Sequence, residues 1–276
     1  MNARSIIESI VVPGYGDPEH DNEFEFDRND YTIDHGNGVV QAGRNGNEYW
    51  YKDGKRHRDG DQPAVILFNG EQRWHKNGKL HRDGDKPAVI LANGTRFWYK
   101  DNKLHRDGDK PAVIYADDSQ EYYQRGKLHR DNDLPAVVVS DGTKHWYQNG
   151  KLHRDGDKPA TILSDGTQRW YQNGKLHRDD DKPAEIYSYG PQFWYKNGKL
   201  HRDGDKPATI DGNYQAWFKD GKRHRDGGKP AVIHDDGRQS WYQNGKLQRN
   251  DDKPAKMSSD GTKRKRVKPH RNGNNP

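Results

Sequence analysis

The chain has 276 residues, 29% apolar and 33% charged, with a formal net charge of +6 and no cysteine. A globular domain usually has about 45–50% apolar residues, so a thick hydrophobic core is excluded; the missing cysteine excludes disulfides, thiolate metal sites and cysteine nucleophiles. Such a composition also suits disorder, but 8 Trp and 15 Tyr recur at fixed intervals and argue for an ordered, thin, single-layer structure.

Residues 1–30 hold eight acids and two bases. The opening MNARSIIESIVVPGYG does not read as a secretory signal, because its apolar run is short and Glu8 interrupts it. No run approaches the roughly 18–20 apolar residues of a membrane span. The expectation is a soluble, intracellular protein, cytoplasmic or nuclear. Alternation at Phe24-Glu25-Phe26 predicts an edge strand, and residues 1–47 are expected to form an N-terminal capping segment.

Residues 48–257 are nine copies of one repeat. A Pro-Ala pair marks each: Pro63, Pro87, Pro111, Pro135, Pro159, Pro183, Pro207, Pro230 and Pro254, spaced by 24 except for 23 between Pro207 and Pro230. An aromatic marker runs in step: Trp50, Trp74, Trp98, Tyr122, Trp146, Trp170, Trp194, Trp217 and Trp241. After Pro-Ala comes a β-branched pair such as Val89-Ile90, in which the second position is always apolar and the first varies. Alternation predicts a strand with Ala and Ile on the protected face and the variable residue on the other. Asn-Gly or Asp-Gly then predicts a two-residue hairpin turn. A second strand follows, such as Gln168-Arg169-Trp170-Tyr171-Gln172, with Trp and Tyr on opposite faces. A second Asn/Asp-Gly leads into KLHRDGDK, read as a linking loop: three strands per repeat would reverse direction at each copy, and no 48-residue alternation is present.

The Trp column (Trp50, Trp74, Trp98, Trp146, Trp170, Trp194, Trp217, Trp241) reads as a packing spine. The Tyr column (Tyr51, Tyr99, Tyr123, Tyr147, Tyr171, Tyr195, Tyr242, with His75 and Phe218 in two repeats) lies on the other face and is the candidate interaction surface. His-Arg-Asp opens at His57, His81, His105, His129, His153, His177, His201 and His224. It has the look of a kinase catalytic loop, but that loop also requires a Gly-rich phosphate loop, a strand lysine and Asp-Phe-Gly. The structural reading is that His and Arg bond the next copy's loop backbone while Asp satisfies a turn. One His per repeat, about 9–10 Å from the next, does not close a zinc site. Asp-Gly-Asp followed by Lys-Pro does not fit a calcium loop. No catalytic, cofactor or metal residue is therefore assigned.

Residues 258–276 form a basic tail, expected to be disordered, with six bases and no acid over 263–276. Lys263, Arg264, Lys265, Arg266 and Lys268 suit a nuclear-import signal, an anion-binding arm or a solubilising end.

Trp-Tyr-x-Asn-Gly-Lys-x-His followed by a Gly-rich link resembles the MORN repeat, over about three quarters of the chain. Arg follows the His where MORN repeats usually have Gly, and the DGDKPA segment is additional. Similar NGKxHR…PA repeats are multiplied in giant double-stranded DNA viruses such as marseilleviruses, and a related arrangement occurs in YwqK-type antitoxins. The resemblance implies an all-β, elongated, twisted, single-layer antiparallel hairpin array, about nine repeats of 24 residues. It implies a non-enzymatic scaffold for protein–protein interaction or self-association; if viral, it would act in the host cell or virion. One alternative is a binder of anionic surfaces, nucleic acid or phospholipid headgroups, through the tail and repeat Lys/Arg. A weaker one is an antitoxin-like binding protein.

Overall fold

The structure, a computed structural model, describes the backbone at 31–34 and 39–42 and all atoms at 46–248 and 254–259. The expected strand at Phe24–Phe26 and the basic tail lie outside the described residues. Every regular element described is a β-strand. The chain divides into two compact units, Met1–Ala116 and Asp117–Pro276.

Each repeat contains two hairpins. In the Trp170 repeat, Thr161–Ile162 pairs with Gln168–Arg169, and Tyr171–Gln172 pairs with Lys175–Leu176. The expectation that KLHR is a loop is therefore wrong for its first two residues. Four short strands per repeat keep every copy in the same direction, so parity excludes three strands but not four. The aromatic marker is where the long strand changes partner. Trp74 N–H donates to Ala88 O of the next repeat at 2.7 Å, and Trp74 O accepts from His81 N of its own second hairpin at 3.1 Å.

The first hairpins join into antiparallel ladders. In the first unit, Arg73 lies opposite Val65 of its own repeat and Val89 of the next. In the second unit the same alternation runs from Glu121 opposite Val137 to Ser240 opposite Lys256. Two strands that the sequence reading missed, Tyr31–Asp34 and Val39–Ala42, add a hairpin ahead of the first repeat and pair onto Glu48–Lys52.

The two turns of a repeat differ. At the second, Asn77 and Gly78 both have positive φ (52° and 85°), as a two-residue type I′ turn requires. The first is longer than expected. Gly70 N bonds Leu67 O, Leu67 N bonds Glu71 O, and Gly70 alone takes the left-handed conformation, φ 91°. This is a type I turn closed by a glycine bulge. Asn69 Oδ1 accepts Glu71 N–H, so its side chain serves the turn with no need of positive φ.

The burial pattern corrects a second expectation. From Ala64 to Ala231 the Ala of Pro-Ala is fully buried, and the variable position beside it is buried too: Val65, Val89, Val113, Val137, Thr161, Glu185, Thr209 and Val232. The neighbouring Ile is only half-buried. Register explains this. Val89 sits between Arg73 and Phe97, whose long side chains lie over it, whereas Ile90 sits between half-buried Gln72 and exposed Arg96.

Candidate functional site

On the Trp side, the loop after each second hairpin folds over the indole. The guanidinium of Arg82 stacks 3.7 Å from the Trp74 ring centroid, and the contact recurs at 3.6–3.9 Å from Arg58 over Trp50 to Arg225 over Trp217. Arg82 then uses its remaining donors. Nε and Nη2 clamp Asp61 of the preceding repeat at 2.7 and 3.1 Å, and Nη1 donates to Pro87 O. Lys86 reaches the same Asp61 at 2.6 Å, and Trp74 Nε1 donates to Asp61 O at 3.1 Å. One aspartate thus binds an indole, a guanidinium and an ammonium of the next repeat. The Arg154 and Lys158 hydrogen bonds hold Asp133 at a pKa of about 2, and Asp157 and Asp181 are lowered to about 2 by the equivalent pairs. These aspartates have φ near +55°, the conformation that turns the carbonyl to the indole.

The histidine joins consecutive repeats at the second turn. His57 Nδ1 accepts Asn77 N–H at 3.1 Å, and Nε2 lies 2.9 Å from Asp59 Oδ1. Since a backbone N–H can only donate, Nδ1 carries no proton and Nε2–H donates to the carboxylate. The same pair of bonds recurs at His129, His153, His177 and His224. The expected bond from His to the next copy's backbone is present. The arginine differs, bonding its own loop carbonyl and the preceding repeat's aspartate.

The 23-residue repeat, Ala208–Pro230, breaks this pattern. Asp205 still clamps Arg225 and Lys229. Its φ, however, is outside the left-handed region, and the buried Trp217 Nε1 has no acceptor.

On the opposite face, side chains differ from copy to copy. The Tyr column is half-buried rather than displayed. Tyr123 donates to Glu121 at 2.9 Å, Tyr99 packs on Phe97, and burial, then Glu185, pushes Tyr195 up to about 12. Arg169 Nε bonds Glu185 at 2.6 Å in a pair with side chains 9% and 7% exposed. His145 lies 3.0 Å from Thr161 Oγ1, and burial, then Arg169, lowers its pKa to about 4. A row missed at the sequence level stitches this face: Ser119, Thr143 and Thr167 Oγ accept the backbone N–H of Ser140, Ser164 and Ser188 in the next repeat. Its sequence signal was a Ser or Thr directly after the first turn, following Asp-Gly at Thr143 and Thr167 and Asp-Asp at Ser119.

Open grooves recur between consecutive loops. One of about 440 Å³ is lined by His129–Asp133 and His153–Lys158 residues, and others of about 390 and 380 Å³ follow at His177–Lys206 and His201–Lys229. Each is lined by equivalent His, Arg, Asp, Lys and Trp positions, with Gln148 in the first where the others have Lys196 and Lys219. Among the described residues no helix is long and apolar enough to cross a membrane. The chain matches no family model and is significantly similar to no curated protein.

Proposed function

We propose that the chain is a non-enzymatic, MORN-like repeat scaffold that holds a protein partner or a second copy of itself along its recurring surfaces. The observation that carries this reading is the fate of the His-Arg-Asp triplet. His bridges to the next turn, Arg is consumed by indole, carbonyl and carboxylate, and Asp accepts from His. A reaction centre needs unlike groups converging on one pocket, whereas here like groups repeat from loop to loop. Light scattering combined with affinity capture tests it: the expectation is an oligomer or a retained protein partner, and a strict monomer that retrieves none would count against the scaffold.

The anion-binding alternative draws support from one column. Lys127, Lys151, Lys175, Lys199, Lys222 and Lys246 are exposed and have no ion pair among the described residues. Binding to nucleic acid through them would fall steeply with salt.

A further inference from the structure

Basic side chains occupy four recurring positions in the repeat, and three have assigned partners. The Arg of His-Arg-Asp and the Lys before Pro share one aspartate, as Arg154 and Lys158 share Asp133. The residue after Tyr, where it is Lys, pairs with the Asp of His-Arg-Asp: Lys100 with Asp107 at 3.4 Å and Lys196 with Asp203 at 3.0 Å. The fourth position, the Lys that opens the second strand of each second hairpin, has no ion pair among the described residues of the second unit. Its stem lies against the next repeat's turn, where a Cβ built on Gly150, Gly174 or Gly198 would stand 3.7–3.8 Å from the Cβ of Lys127, Lys151 or Lys175.

Three successive repeats of the second unit break the charge balance. They carry Gln124, Gln148 and Gln172 where their neighbours carry Lys. Asp131 and Asp155 therefore accept from a neutral amide and a neutral imidazole, and Asp179 from an imidazole alone. These carboxylates are 66%, 79% and 73% exposed. The patch thus has three uncompensated lysines, Lys127, Lys151 and Lys175, and three uncompensated aspartates, each four residues further on. Both rows share one period, two strands or about 9–10 Å.

We propose that this patch is a self-association surface whose occupant is a second copy of the chain, with the lysine row of each copy against the aspartate row of the other. The inference rests on the scaffold reading and narrows it. A two-fold axis running along the rows brings Lys151 opposite Asp155 of the second copy and the reverse, giving six pairs in a closed contact. An axis across the rows would face lysine with lysine. A linear polyanion fits less well, because the aspartate row runs beside the lysines and the indoles that could stack bases are capped by arginine. Confinement to three repeats also suits the twist of sheets, which carries longer rows out of register.

The experiment is sedimentation equilibrium on the full chain at about 0.02 M salt and again at about 1 M, where the Debye length falls to about 3 Å. Wild type should be a dimer at low salt and dissociate at high salt. Gln124→Lys, Gln148→Lys and Gln172→Lys together install the residue that neighbouring repeats already carry, so this variant keeps the fold while neutralising the acids. Its dissociation constant should rise about tenfold or more, and Lys127→Glu, Lys151→Glu and Lys175→Glu should do at least as much. Circular dichroism and melting should be unchanged for both. A dimer equally tight in both variants would overturn the patch and leave the scaffold standing. A wild-type monomer at low salt would overturn the patch too, and affinity capture would then decide the scaffold separately. If that monomer binds a single-stranded oligonucleotide only with the three lysines intact, the row serves a polyanion instead.

Discussion

The Trp side and the Tyr side of the sheet are built from the same strands, yet they follow different rules. On the Trp side, most repeats make the same contacts with the same residues, because Arg, Asp, His and the indole each satisfy one another across a repeat boundary; Tyr122 and the short repeat at Trp217 are the departures. On the Tyr side, a buried position can be Val89, Thr161 or Glu185. Each copy solves its own packing there: Glu185 is matched by Arg169 and Thr161 by His145. Repetition fixes how copies join, and variation distinguishes one junction from another. An array of near-identical copies could pair out of step by a whole repeat, and Arg169 facing any residue but Glu185 on its next-repeat side would be a buried, unmatched charge.

The largest expected effect lies on the constant side. Trp170→Ala removes a buried indole together with the platform for Arg178, and should cost about 3–5 kcal/mol in urea unfolding. Close behind is the variable side. Glu185→Ala strands the buried Arg169 guanidinium and should cost about 3 kcal/mol or more, whereas Arg169→Met with Glu185→Leu should be near neutral. If the double variant were as damaging as the single, the pair would be stabilising in itself rather than a marker of register. A smaller loss is expected from Arg154→Lys, which keeps charge but loses the clamp and the stacking; about 1–2 kcal/mol allows for solvent screening of the exposed Asp133.

pH separates the two sides further. His145 has its pKa lowered from 6.5 to about 4, so the unfolded chain takes up that proton more readily and stability falls as pH drops from about 6.5 to 4. Asp133, Asp157 and Asp181, lowered from 3.8 to about 2, contribute above about pH 4 and lose that contribution between there and pH 2. Urea midpoints taken stepwise should show two acid-side declines, and His145→Gln should remove the upper one alone. The smallest expected effect is from Tyr171→Phe, within about 0.5 kcal/mol, since burial of the ring is kept.

Much of this was legible in the sequence. The period, the second turn and the bond from His to the next turn all follow from residues that recur in nearly every copy. What was not legible came from partner choice. Lys175-Leu176 looks like loop because a two-residue strand has no periodicity to read. The burial of the position held by Val89 or Glu185 depends on the long neighbours that register brings over it. The aspartate that receives Arg178 is Asp157, 21 residues earlier, and spacing alone could not separate it from Asp179 next door.

The short repeat gives the array a weak point. In the other Trp repeats with a described acceptor, the indole N–H is anchored to the preceding loop; at Trp217 it is not, and a buried donor left without a partner costs about 1–3 kcal/mol. Where the described inter-repeat bonds run from each repeat to the next, that deficit is not shared around a common core. Opening should therefore begin there, with amide exchange around Trp217 fastest among the buried markers of the second unit. A single missing residue gives an otherwise uniform polymer of repeats an address at which it first comes apart.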